Sequence, residues 1–411
     1  MSEAAAPGAP GPGRPVAPGA PGPRVAVVGV SGGLTCGVRD HAGLLAGALA
    51  ESGLPCTWHW LTRTASSPRG ARAELGAWTA GLPAELERAG AQAILLHYSV
   101  FSYSYRGFPV FVRPTMAALR RNGLPLVTIL HEFVYPSGRG GLRGRAWALS
   151  QAIALRGVMR GSDAAVVTAP FRAGWLDAQP WLAKRPIALA PVFSNLPSPV
   201  GPRASGAREQ PVVGLFGYGY EGAAAAIALD AMQMLHMRGV VPRLALLGAP
   251  GRESPAAEQW LAGARERGIE HDLSFSGVLP AQQLADELAA CDVLLHLEPS
   301  GPTSRKGTLA GSLASGTAVV ALDGPRRWEE LIEAEAALIV EPSAGGLADG
   351  VALLLADPER RDQLGARGAA FAAAAMGLAR SASVVGELLR DAAGASSGAG
   401  APERQPLARS G

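Results

Sequence analysis

From Arg24 to Ala190, short apolar runs rich in β-branched residues alternate with longer stretches whose apolar positions recur every three or four residues. Arg24–Val30 reads as a strand buried on both faces, the small-residue segment Ser31–Gly37 as a loop, and Val38–Ser52 as a helix stopped by Gly53. Further strands are expected at Cys56–Leu61, Ala93–His97, Leu126–Leu130, Ala164–Thr168 and Ile187–Ala190. Helices are expected near Leu82–Ala89, over 113–122 and 145–160, and at Pro170–Ala178. The alternation breaks at the Pro, Gly and Ser rich residues 197–211, then restarts. Strands at Val212–Phe216, Arg243–Leu247, Leu273–Ser276, Val293–Leu297, Ala318–Ala321 and Ala337–Val340 alternate with helices over 222–237, 254–267, Leu284–Ala290, Leu309–Ser315, Trp328–Glu333 and 347–375. A last amphipathic helix covers 379–392. Strand–helix alternation of this kind predicts parallel sheets with helices on both faces. The expected fold is α/β: two doubly wound Rossmann-like domains, 24–196 and 212–378, joined by the linker 197–211. Ligands of such sheets lie at the carboxyl ends of strands, so the cleft between the domains is the expected site.

Composition narrows the function. Of 411 residues 17% are charged, with 53 Gly and 33 Pro. Much of that excess lies in residues 1–23 and 393–411, which hold too little apolar surface to offset the entropy of folding and are expected to be disordered tails. All basic residues but Lys184 and Lys306 are arginine, and net charge is +3. The arginines are scattered with no aromatic-interleaved stripe, which argues against nucleic-acid binding. Three cysteines, Cys36, Cys56 and Cys291, without paired spacing suggest neither a disulfide framework nor a zinc site. They fit a reducing compartment, the cytoplasm or the inner face of its membrane. No signal-like start and no uninterrupted apolar run of spanning length is found, so the chain is not expected to cross a bilayer. The Arg139–Arg145 loop, RGGLRGR, leaves peripheral contact with anionic lipid open.

The strongest chemical signal is Ser300–Leu309, SGPTSRKGTL, placed between a strand and a helix. Free backbone N–H groups at a helix start form an anion site, and Gly301 and Gly307 allow close approach. Arg305 offers a bidentate fork and Lys306 a point charge; two cations in a helix's first turn oppose its dipole unless an anion is present. His131 and Glu132 follow a strand at its carboxyl end, where an imidazole can bond a hydroxyl or stabilise developing charge and a carboxylate can orient an acceptor. The loop carrying Gly32, Gly33 and Gly37 opens toward the same end of the first sheet. Asp40, beside His41, suits a helix N-terminus. His97, His236, His271 and His296 are isolated in sequence and expected to be structural, Trp175 and Trp181 to be core. The aromatic segment Tyr98–Phe111 reads equally as acceptor pocket or packing.

Several of these segments resemble family 4 glycosyltransferases of the GT-B fold, the glycosyl transferase group 1 type. Ala314-Ser-Gly-Thr-Ala-Val-Val-Ala321 is similar to that family's turn after the donor-binding helix, as are Gly277–Leu284 and Ala290–Leu295 to its preceding segments. Cys36-Gly-Val-Arg-Asp-His-Ala42 resembles its first loop and helix. The resemblance implies a final helix crossing back to the first domain. It also implies transfer of a sugar from a nucleotide-diphosphate donor to a hydroxyl acceptor, retaining and metal-independent, with no cofactor beyond the nucleotide-sugar co-substrate. Thr303, Ser304, Arg305, Lys306, Gly307, Thr308 and Gly217 would then bind donor, and His131 would act on the transferred sugar or acceptor. Gly32, Gly33, Gly37 and Glu132 would serve the acceptor or phosphate side. Two departures stand out. The family's paired glutamates fall here on Thr303 and Gly311, and its Lys-Gly near Gly217 on Glu221-Gly222. These departures keep two other readings open: a catalytically inactive glycosyltransferase-like binding protein, and a sugar-nucleotide epimerase of the same fold.

Overall fold

A computed structural model describes residues 22–32, 36–65, 67–134, 138, 141–201, 210–218, 222–248 and 250–398. The expected tail 1–23 lies almost wholly outside these residues, as do Gly33, Arg139, Glu221, most of the linker and 399–411. In the first half, six strands, β1 (Val25–Ser31), β2 (Cys56–Thr62), β3 (Ala93–Ser99), β4 (Leu126–Glu132), β5 (Ala164–Val167) and β6 (Ile187–Leu189), alternate with five helices. These are α1 (Gly37–Glu51), α2 (Pro68–Arg88), α3 (Val112–Leu119), α4 (Gly141–Gly161) and α5 (Pro170–Asp177). All strands pair in parallel in the order β2-β1-β3-β4-β5-β6.

The second half repeats the plan with β7 (Val212–Phe216), β8 (Arg243–Leu247), β9 (Leu273–Gly277), β10 (Val293–His296), β11 (Ala318–Leu322) and β12 (Leu338–Val340). Its helices are α6 (Gly222–Met237), α7 (Pro255–Glu266), α8 (Ala281–Ala289), α9 (Gly307–Ala314), α10 (Glu329–Glu333), α11 (Ala344–Ala356) and α12 (Pro358–Ala375). This sheet is also parallel, ordered β12-β11-β10-β7-β8-β9. The last helix, α13 (Leu378–Gly398), follows. The chain is thus α/β, with two doubly wound parallel sheets.

Every side chain of β1 and β3 is buried, because helices cover both faces of the sheet. One face packs Leu75, Leu82 and Leu86 of α2 and Leu155 of α4 on Val28, Leu96 and Leu130. The other packs Leu45 and Leu49 of α1, with Ala382, Val385 and Leu389 of α13, on Val25, Val27 and Leu95. The final helix therefore completes the first domain's core, although α12 before it places Leu364 and Ala372 in the second domain's cores. Pro358–Ala395 is long and apolar enough to cross a bilayer by length and composition alone, and part of its apolar surface is buried in the cores of the two domains.

Several boundaries differ from the pattern-based expectation, and α4 starts at Gly141, inside the Arg139–Arg145 segment expected to be a loop. α2 starts fourteen residues before Leu82, at Pro68, because Ser67 accepts the Gly70 N–H as an N-cap and Ala71, Leu75 and Thr79 continue the buried stripe. Gly76, Gly81 and Pro83 hid that stripe from propensity. The expected 347–375 helix is two helices, broken at Asp357, which caps the second by accepting from the Arg360 N–H ahead of Pro358. α13 continues past 392 to Gly398, into the segment expected to be a tail.

Candidate functional site

Each sheet reverses its winding at one place, between β1 and β3 in the first and between β7 and β10 in the second. Crevices for ligands form at the carboxyl ends of strands flanking such a point. In the second domain a cavity opens there, lined by Phe216, Gly217 and Tyr218 after β7, by His296 and Glu298 after β10, and by Lys306 and Thr308 at the start of α9. Gly217 has φ +68, and a Cβ on it would stand 2.8 Å from Thr308 Cγ2, so only glycine keeps this wall open. α9 begins at Gly307, two residues before the expected Leu309, with Lys306 as its N-cap residue. The Lys306 side chain makes no cap hydrogen bond, leaving the first N–H groups of α9 without a side-chain cap.

Charge in this cavity is balanced in advance. The Lys306 ammonium is paired with the Glu298 carboxylate, which also accepts from Ser300 Oγ at 3.0 Å. Burial pushes the Glu298 carboxyl up, but its bond to Lys306 and the charges of Lys306 and Arg305 outweigh this and hold it below the ordinary range. His296 behind them is brought to about 4 by burial, and its Nε2 has no hydrogen-bond partner among the described residues.

Arg305 turns the other way, out of the second domain. Its Nη1 donates to Glu132 Oε1 at 2.9 Å, while Arg172 Nη2 of α5 donates to Glu132 Oε2 at 2.9 Å. Arg172 also donates to the carbonyl oxygens of Leu130, at 3.3 Å, and His131. One carboxylate at the end of β4 thus bridges two guanidiniums from different domains. Beside it, Ser304 Oγ donates to the Thr168 carbonyl and the Val192 N–H donates to the Ser304 carbonyl, both at 2.8 Å. Ser304 is accordingly buried at the domain junction, and Thr303 beside it is also buried; neither lines the cavity. Gly307 faces the same junction, 3.7 Å from Val192 Cγ1 for an added Cβ.

The first domain's crevice holds a histidine cluster that sequence alone did not suggest. His97 Nδ1 lies 3.1 Å from His131 Nε2 with the rings stacked, and His41 of α1 stands edge-on to both at 5.9 and 5.1 Å between centroids. His41 itself stacks on Phe193 at 4.2 Å. Neither His41 nor His97 is isolated, contrary to their spacing in the chain. The signal was topological: they sit on α1 and β3, at the β1/β3 reversal. Burial lowers His41 to about 4, and burial with the neighbouring His41 holds His97 well below the ordinary value. Burial, the other two rings and Arg172 do the same for His131. The trio is therefore neutral near pH 7. His41 Nδ1 and His97 Nε2 are buried with no hydrogen-bond partner among the described residues. Three imidazole nitrogens within 4.8 Å could hold a borderline ion such as zinc, a possibility the cysteine-based reading did not cover. They lack the oxygens that magnesium on a diphosphate would require.

Gly32 and Gly37 border this crevice at the end of β1 and the start of α1, both exposed, with open space where a Cβ would stand. Asp40 lies in the first turn of α1 as expected. Trp175 is 36% exposed rather than core, and packs its edge on Trp181. Of the aromatic segment, Tyr98 and Tyr103 are buried and stacked at 5.6 Å, while Phe101, Phe108 and Val110 are exposed.

Comparison with known proteins agrees with this arrangement. Residues 219–371, which include the cavity wall from Ala224 to Thr308, match the family described as Glycosyl transferases group 1. No curated protein sequence matches the chain. Among solved structures it is similar to a sucrose-phosphate synthase from Thermosynechococcus elongatus, with TM-score 0.66 and 18% identity over 90% of this chain and 100% of that one. It is also similar to an alpha,alpha-trehalose 6-phosphate synthase from Burkholderia multivorans, with TM-score 0.61 and 15% identity over 93% and 100%. A third is WaaG, a glycosyltransferase involved in lipopolysaccharide biosynthesis, with TM-score 0.61 and 14% identity over 89% and 99%. Residues 219–371 thus match the Glycosyl transferases group 1 family, and the chain as a whole shares the two-sheet fold of these solved structures.

Proposed function

We propose that the chain moves a sugar from a nucleotide-diphosphate donor to a hydroxyl acceptor in the cytoplasm, with retained anomeric configuration and with no metal on the diphosphate. The observation that carries this reading is the Arg305–Glu132 bond, which brings His131-Glu132 of one domain against Arg305-Lys306 of the other. The donor's diphosphate would enter the Gly217–Thr308 cavity and take Lys306, Arg305 and the free N–H groups of α9 in place of the carboxylates they now hold. Charge growing on the leaving diphosphate is offset by those same groups, which need no rearrangement at the moment of transfer. Neutral His131, one ring from the cleft, would donate a hydrogen bond to a hydroxyl of the transferred sugar or acceptor. Gly32 and Gly37 leave room for the acceptor to approach the backbone.

The epimerase reading needs carboxylates free to abstract protons in the cleft. Glu132 and Glu298 are both held by cations there, which disfavours it. The non-catalytic reading draws on the missing carboxylate pair at Thr303 and Gly311. A thermal-shift panel of nucleoside diphosphates and nucleotide sugars tests all three. A ligand at 100 times its Kd adds about 2.7 kcal/mol of stability. Binding followed by sugar release or transfer, insensitive to EDTA, supports the proposal. Binding without turnover leaves the non-catalytic protein, and no shift with any of them removes the donor site altogether.

A further inference from the structure

Arginines are not scattered evenly after all. From Arg88 to Ser162 the chain carries ten arginines against one carboxylate, Glu132, and that carboxylate is taken up by Arg172 and Arg305. This stretch of the chain therefore carries a strong positive charge although the whole chain is only +3. Its longest element, α4, has no acidic residue at all.

The helix also shows an apolar stripe to solvent. Leu142, Leu149 and Ile153 are 83%, 65% and 66% exposed. At 100° per residue they fall within about 40° of one another, opposite the buried side of the helix. Arg145, Arg156 and Arg160 are exposed within about 60° of the same line. Gly144, Ala148, Gln151, Leu155 and Val158 face inward, so this stripe is not a frayed piece of core. Large aliphatic side chains ringed by arginine on a surface helix are the composition of an interfacial amphipathic helix.

We propose that the first domain docks on an anionic lipid surface through this face of α4, with Leu142, Leu149 and Ile153 in the acyl–headgroup boundary and Arg145, Arg156 and Arg160 on lipid phosphates. Charge selects the occupant. A second copy of the same face would set arginine against arginine, and a nucleic acid would leave the central aliphatic stripe without an apolar partner. A bilayer supplies both the negative headgroups and the apolar layer beneath them. The proposal is independent of what the cleft transfers, because no residue of the stripe lies in it.

The test is flotation of the full chain with extruded vesicles of phosphatidylcholine alone and with about 30 mol% phosphatidylglycerol. Retention on the anionic vesicles is expected to exceed that on neutral ones at least tenfold, and to fall when salt is raised to about 0.5 M. Leu149→Glu with Ile153→Glu, and separately Arg156→Glu with Arg160→Glu, should each lower retention roughly tenfold or more, since each arginine near such a surface is worth about a fivefold change. Both pairs are solvent-exposed, so unchanged thermal unfolding and donor-induced thermal shift would show that the fold and cleft survive. Equal retention on both vesicle types, no retention, or wild-type retention by the variants would overturn the proposal. So would salt-sensitive binding to a DNA duplex in place of vesicles, which would assign the face to nucleic acid.

Discussion

The histidines His41, His97, His131 and His296 have an outcome that can be read in solution. Each is held below its ordinary value of about 6.5 in the folded chain, His41 and His296 at about 4. Between these limits the unfolded chain binds more protons than the folded one, so stability rises with pH. It is fully present above about pH 6.5 and is lost as pH falls toward 4. Each histidine contributes on the order of 1 kcal/mol per pH unit in that window. Thermal unfolding followed from pH 7.5 to 5 should show a steep fall in Tm; a flat profile would mean that these imidazoles already carry protons in the fold. For His131 the kinetic expectation is separate: His131→Ala should keep donor-induced stabilisation and lower turnover by about 10²- to 10³-fold, the cost of one lost hydrogen-bond donor to developing charge. Unchanged turnover would take His131 out of the chemistry.

At the scale of elements, the loops that close the Gly217–Thr308 cavity depend on glycine for geometry. Gly217→Val would place side-chain atoms against Thr308 and force a branched residue to φ +68. It should cost about 1–3 kcal/mol and abolish nucleotide-induced stabilisation. α13 makes a second prediction: Leu389→Ala, at a fully buried position among α1 and β1 side chains, should cost about 2–5 kcal/mol. The loss should appear in the first domain's unfolding, although the substitution lies beyond the second domain in sequence. Elements of this kind were legible where apolar runs were pure, as at Val25–Val30 and Ala318–Leu322. α2 was not, because two glycines and a proline interrupt a stripe that its N-cap and the sheet below keep helical. The site was legible in part for a similar reason. A loop before a helix with Arg305 and Lys306 announces an anion in local sequence, whereas His41, His97 and His131 lie on three separate elements and meet only through strand order. Thr303 and Ser304 look like anion ligands in sequence, but both are buried, and the Ser304 hydroxyl is spent on the Thr168 carbonyl.

For the whole molecule, Glu132 joins the two domains through Arg305, beside the Ser304 bonds to Thr168 and Val192. Glu132→Gln removes the charge that Arg305 and Arg172 share, leaving the buried Arg172 with weaker compensation. It should lower stability by about 1–3 kcal/mol, toward the low end because solvent reaches Glu132. It should also free Arg305, so that nucleoside diphosphate binds several-fold more tightly while maximal turnover does not rise. Weaker diphosphate binding in this variant would mean that Arg305 does not meet the donor.

A cell holds millimolar chloride, inorganic phosphate and nucleoside monophosphates, any of which would crowd an open cationic pocket. Among the described residues lining the cavity the cation is Lys306, and it is occupied by Glu298, as Arg305 beside it is by Glu132. An anion gains entry only by outcompeting two carboxylates at once, and that requires several negative charges held at a fixed separation. The paired state is in that sense a filter set before any substrate arrives. It predicts that nucleoside monophosphate and inorganic phosphate compete far more weakly than their charge alone would suggest, a ratio that isothermal titration can measure directly.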